Sequence, residues 1–233
     1  MTAIPSLHSP GTARRVQAIE LFVFLLILLP LMALSALIGR PEGLEFVTVA
    51  IAVIVHDLAL LSLVLFFAWR NGEGFGAIGW SRRHFAREVG VGLALFLPVF
   101  FAVAGIERLL RYAGLTAPDA LPSYLLPAPG PEYLLAVVFL VVVAITEETV
   151  FRGYLLLRFR TLTGSLVAAL LLSVSIFALG HGYQGSVGIV AVGVLGLCYA
   201  LIYVWRGTLV APTVMHFVQN AIGLFLAPVL NGA

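Results

Sequence analysis

Six side chains with the chemistry of acids, bases and amide donors lie within apolar runs: Glu147, Glu148, Arg152, His181, His216 and Asn220. An ionisable group at membrane depth costs on the order of 2.5–3.5 kcal/mol on insertion scales, so each needs a partner or a purpose. Residues four apart share a helix face. That rule brings Glu148 to Arg152, sets Phe177 beside His181, and sets His216 beside Asn220. Glu147 is turned about 100° from Glu148 at 3.6 residues per turn, so it points elsewhere. One glutamate is thereby paired while the other stays available. A free carboxylate, two imidazoles and an amide are the groups that activate a water and stabilise an oxyanion.

The elements that carry these groups follow from composition. Of 233 residues, 61% are hydrophobic and 10% charged, and the mean hydropathy is +1.10. The solvent for most of this chain is lipid. All thirteen basic residues are arginines, scattered between apolar runs with a net charge of +2, so nucleic acid is not an expected partner. Cys198 is the single cysteine, which excludes an intrachain disulfide. Seven stretches reach the ~20 residues that a helix needs to cross a bilayer. They lie near 17–38, 46–69, 89–110, 132–157, 164–182, 186–205 and 208–229. No two-residue alternation is present, so the expected class is an all-α, polytopic transmembrane bundle.

Three parts are expected: a disordered cytoplasmic tail over 1–15, three N-terminal spans with their loops over 16–131, and a four-helix catalytic membrane domain over 132–229. Arg14-Arg15 before an apolar run, with Ala33-Leu34-Ser35-Ala36 further on, also fits a signal peptide. The run is longer than a cleaved one of ~7–15 residues, and a retained anchor is expected. With the N-terminus inside, ten arginines fall on or toward the cytoplasmic side: 14, 15, 70, 82, 83, 87, 152, 158, 160 and 206. Arg40, Arg108 and Arg111 are left outside, which favours a cytoplasmic N-terminus. The Arg70–Glu88 stretch reads as a polar cytoplasmic loop, and the proline-rich 117–131 as an extended outer one. Gly193, Gly196 and Ala200 share one face of span six, where a neighbouring helix can approach closely.

Depth agrees with convergence. Glu147 lies 164 − 147 = 17 residues before a turn at Gly164, and His181 lies 181 − 164 = 17 after it. At 1.5 Å per residue both sit ~25 Å from that turn, provided span four continues past the bilayer.

Glu147-Glu148-Thr149-Val150-Phe151-Arg152, Phe177-Ala178-Leu179-Gly180-His181 and His216-Phe217-Val218-Gln219-Asn220 are three motifs on three apolar helices. They resemble the EExxxR, FxxxH and HxxxN motifs of the CAAX protease and bacteriocin-processing family. This group is also called the abortive-infection family, and it includes the type II CAAX prenyl endopeptidases. The resemblance runs from about Glu132 to Leu226, and no motif residue departs from the pattern. It implies an intramembrane endopeptidase. Glu147 with His181 would position and deprotonate the water, His216 and Asn220 would stabilise the oxyanion, and Glu148, Arg152 and Phe177 would support them. The implied substrate is a membrane-associated peptide or protein.

A zinc version would use Glu147, His181 and His216 as ligands. The HExxH spacing is absent, and a glutamate mechanism needs no obligatory metal. His56-Asp57 in span two matches no family motif and reads as a locally satisfied pair. Ser173 and Ser175 are expected to bond back to carbonyls four residues earlier. Two rival functions use the same side chains: a proton- or cation-coupled transporter, disfavoured by missing repeats, and a catalytically silent adaptor or immunity protein. The absence of lysine suggests a prokaryotic cytoplasmic membrane, where prenylated tails are not the expected substrate.

Overall fold

The computed structural model describes residues 14–37, 44–81, 83–118 and 122–226, without the side chains of 34–37. The expected tail up to residue 13, the side chains of Leu34, Ser35 and Ala36, Arg40, Arg82 and the end of the last span at 229 lie outside what is described. The described chain is helical throughout, without strands: α1 (Arg14–Leu37), α2 (Phe46–Arg70), α3 (Phe85–Tyr112), α4 (Pro131–Glu147), α5 (Leu156–Thr163), α6 (Leu166–Leu179), α7 (Gly185–Arg206) and α8 (Val210–Ala221). A π-helical segment, Glu148–Leu155, joins α4 to α5 in one continuous rod, and a second, Ile222–Leu226, extends α8. Five helices among the described residues are long and apolar enough to cross a membrane. Leu166–Leu179 and Val210–Leu226 are shorter apolar columns.

Each helix is sorted by face, and lipid receives the larger share. On α1, Leu21, Phe24 and Leu28 recur at three- and four-residue spacing and are buried, while Phe22 and Leu26 on the other side are 65% and 60% exposed. Phe101 and Leu109 of α3 and Leu171 of α6 are likewise exposed. So much outward apolar surface is stable only against hydrocarbon, where the helices also keep every backbone polar group paired. The protein is an integral membrane helix bundle. α2 packs along α4, α3 along α8, and α6 along α7.

The rod from Pro131 to Thr163 spans 33 residues, as continuation of span four past the bilayer requires. It stops at Gly164, whose φ of 71° is the left-handed value that ends a helix, and Ser165 caps α6 by accepting from Ala168 N. α6 has 14 residues, shorter than the expected span 164–182. His181 therefore sits beyond its helix, because Gly180, Gly182 and Gly185 break the helical run around it.

Two further expectations are corrected. The Arg70–Glu88 stretch is not simply a polar loop: Ile78 is fully buried, and Gly79 O accepts from Leu209 N at 2.9 Å. Arg158, expected in the cytoplasm, is buried within the protein. Arg158 makes a two-pronged bond to Glu73, at 2.7 and 2.6 Å, with its guanidinium 5.0 Å from the Tyr154 ring.

The arginine-bearing turns gather at one end of the bundle. Arg14 donates to Leu162 O, Arg70 lies 3.3 Å from Glu20, and Arg206 bonds Glu88 at 3.0 and 2.6 Å. Thr116 meets Ser186 and Val187 at the other end. In a Cys198→Ala background, a cysteine at Arg83 is expected to react only with reagent admitted to the cytoplasm, and one at Ala128 only from outside. Outside labelling at Arg83 would invert the orientation. Arg158→Ala removes the two-pronged partner of Glu73 in the interior, and a loss on the order of 3–5 kcal/mol should appear as a lower thermal midpoint in detergent.

Candidate active site

The rod changes its winding at the first motif. Up to Glu147 it is α-helical; from Glu148 to Leu155 it widens, so that Leu156 N bonds Phe151 O. π-segments inside α-helices recur at functional sites because the wider turn re-aims side chains and carbonyls. Here it is held from two sides. Ser173 of α6 donates to Phe151 O at 2.6 Å, so the expected bond from Ser173 to its own helix is replaced by one across helices. Thr149 donates to Ile145 O at 2.6 Å and accepts from Trp80 Nε1 at 2.8 Å. Gly153 lets the 71–81 loop press in, since a Cβ there would stand 2.5 Å from Ile78 O.

Arg152 is nearly enclosed. Its Nη1 donates to Glu148 Oε1 at 3.0 Å and its Nη2 to Gly196 O at 3.2 Å. The guanidinium lies 4.1 Å from the Phe177 ring centroid and 5.6 Å from that of Tyr199, both within cation–π range. Gly196 is glycine for this reason, as a Cβ would come within 3.0 Å of Nη2 and 2.9 Å of Phe177. The small-residue face of α7 thus makes room for an arginine and a ring.

Glu148 has a second partner that spacing did not reveal. His216 Nδ1 lies 2.8 Å from Glu148 Oε1, and its Nε2 lies 3.5 Å from Glu147 Oε2. One imidazole therefore bridges both glutamates. With Nδ1–H donating to Glu148, Nε2 faces Glu147 at ion-pair distance without a hydrogen bond between them. His181 is oriented differently: Phe177 O is 2.9 Å from Nδ1 and only accepts, so Nδ1 carries the hydrogen and Nε2 is left as the acceptor.

A cavity of about 740 Å³ opens among α2, α4, α6 and α8. Glu147, His181, Gln219 and Asn220 lie on its wall, and so do His56 and Asp57. It extends past Arg111 to Pro118 and Pro122, toward the end of the bundle that holds Thr116. Three of the four residues singled out in the sequence face this space. His216 is the exception, being 4% exposed and packed behind the glutamates rather than on the wall. Gln219 was not singled out, although its place in the third motif marks it.

Among the described residues no three His, Cys, Asp or Glu side chains are arranged to hold a metal ion. Of the zinc set Glu147, His181 and His216, the first two line the cavity, while His216 lies off its wall with Nδ1 on Glu148 and Nε2 turned to Glu147.

Residues 129–222 match the family model described as type II CAAX prenyl endopeptidase Rce1-like. Over this segment the chain is similar to the CAAX protease family. No curated protein and no solved structure matches it. The match spans α4 to α8 with all three motifs, so His56, Asp57 and Trp80 reach this site from outside the matched region.

The arginine environment is open to test. Arg152→Ala leaves Glu148 buried with one partner fewer, and a loss on the order of 3–5 kcal/mol should reduce monodisperse protein sharply. Gly196→Val should act in the same direction by about 1–3 kcal/mol through overpacking against Phe177. Wild-type yield from Gly196→Val would contradict this packing.

Proposed function

We propose that the chain is an intramembrane endopeptidase that hydrolyses a peptide bond of a membrane-associated protein or peptide with a water activated by Glu147 and His181. The observation that supports this reading is that Glu147 of α4, His181 just past α6 and Asn220 of α8 border one cavity in a helix bundle similar to the CAAX protease family. Peptide hydrolysis in a membrane needs a base, an orienting group for the water, an oxyanion donor and a space that admits both water and chain. Glu147 is the base, with a 24% exposed side chain. His181 Nε2 accepts a hydrogen bond from the same water. The Asn220 amide donates to the oxyanion. His216 acts from behind, fixing Glu147 and passing charge between the glutamates. Glu148 and Arg152 fix His216 in turn. No step here is routed through a metal.

The domain over 132–229 supplies the motifs, and a prokaryotic cytoplasmic membrane is the proposed setting. Comparison of membrane and secreted peptides from cells making wild-type or Glu147→Gln protein should reveal a product that disappears in the variant. On that substrate, Glu147→Gln should lower the rate by ~10²–10⁴-fold while the protein stays folded. Asn220→Ala should cost about 10²–10³-fold. Full cleavage by Glu147→Gln would sink the assignment, leaving the transporter and the silent adaptor as readings. Purified enzyme treated with a chelator should keep its activity; loss that zinc restores would overturn the metal-free mechanism.

A further inference from the structure

The hydrolysis outlined above needs a proton delivered to the leaving nitrogen. Glu147 takes one proton from water, and the resulting hydroxide adds to the carbonyl carbon. The C–N bond then breaks with its electron pair going to nitrogen, and that nitrogen must receive a proton to leave as an amine. The groups already assigned are engaged. His181 Nδ1 is bound to Phe177 O, leaving only an acceptor in the neutral ring, and His216 is held between Glu148 and Glu147 off the cavity wall.

One more imidazole borders the cavity. His56, ten residues into α2, lies on its wall with a side chain 40% exposed. Its Nδ1 is 3.1 Å from Asp57 Oδ1, an arrangement in which a carboxylate fixes the ring and leaves Nε2 directed away from the pair. Nε2 has no hydrogen-bond partner among the described residues. Asp57 is buried, with Oδ2 unpartnered, and is close enough to interact electrostatically with both Glu147 and His216. A locally satisfied pair would have no such spare atoms and no reason to face the same space. Two ionisable groups in the middle of an apolar helix are costly, and a role at the cavity accounts for them. Glu107 and Arg111, the other charged groups on the wall, lie at the far end of α3 by the outer mouth.

We propose that His56, oriented by Asp57, is the acid that protonates the leaving amine, while Glu147 serves as base. This rests on the endopeptidase reading. In the step itself, Nε2–H of the His56 imidazolium passes to the departing nitrogen as the C–N bond breaks, and the carbonyl re-forms as a carboxylic acid. His56 ends neutral and Glu147 protonated. Transfer of that proton from Glu147 to His56 through cavity water restores both. Water is the only co-reactant. Asp57 is a positioning residue, acting through His56.

The test uses full-length purified protein in liposomes and two membrane-tethered peptides carrying the cleavage site found with wild-type protein. One keeps the scissile amide; the other replaces it with a thioester, whose thiolate leaves without a proton. His56→Gln should lower kcat on the amide by ~10²-fold with KM unchanged, yet cleave the thioester within about threefold of wild type. Asp57→Asn should lower the amide rate by roughly tenfold with the same sparing of the thioester, by loosening the ring that carries the proton. Should His56→Gln fail to fold, the amide-to-thioester ratio of Asp57→Asn decides. Equal loss on both bonds, or no loss on the amide, overturns the proposal. Glu147→Gln is the control: it should abolish both cleavages, and if it does not, the endopeptidase reading itself fails independently of His56.

Discussion

The carboxylate of Glu148 is the constraint on which the rest of the bundle is built. It has no exposed surface, and an uncompensated charge there would cost several kcal/mol. Its Oε1 collects two partners from different helices, Arg152 one turn on and His216 of α8. Bringing in Arg152 places a second charge in the interior, and this determines what surrounds it: a carbonyl from Gly196, ring faces from Phe177 and Tyr199, and no Cβ on α7 at that level. Phe177 also lends its carbonyl to His181. The three motifs are thus three contacts of one charge network. Removing any of them disturbs the others.

A second brace comes from outside the family segment. Trp80 reaches Thr149, Glu73 clasps Arg158, and Gly79 O holds Leu209 N at the start of α8. These bonds fix the π-segment's inner end and the foot of the helix that carries His216. They cross the boundary at residue 131, so the division between N-terminal spans and motif helices describes where the chemistry is written. The bundle packs across it.

What the sequence made legible follows from the cost of polarity in hydrocarbon. Every ionisable residue in an apolar run had to mean something, so the motif helices, the Glu148–Arg152 pair and the Phe177–His181 register could be named from spacing. The π-winding could not, because it depends on Ser173 and on Gly153 yielding space to Ile78, partners 22 and 75 residues away (173 − 151 and 153 − 78). The bridging of both glutamates by His216 was hidden for the same reason. Spacing within α8 sets His216 against Asn220, whereas its position between two groups on another helix depends on how α4 and α8 pack. Arg158 was assigned to the cytoplasm because a charge count sorts sides and knows nothing of partners such as Glu73.

A distinction between helix glue and working groups emerges from how completely each carboxylate is satisfied. In the Glu73–Arg158 pair both carboxylate oxygens accept from one guanidinium, and only Arg158 Nε is left over. The carboxylates at the cavity are different. Glu147 Oε2 and Asp57 Oδ2 are buried atoms without a hydrogen-bond partner in the protein, and Thr146 Oγ1 on the same wall shares that condition. Buried polar atoms are rarely left so, and where they are, water or a ligand completes them. A bundle held together only by polar contacts would gain nothing from this incompleteness and would lose about 1–3 kcal/mol for each orphaned group. Unpartnered oxygens also occur off the cavity, at Glu20 and Glu148, but those of Glu147 and Asp57 border a space that can admit the water and the peptide carbonyl to complete them.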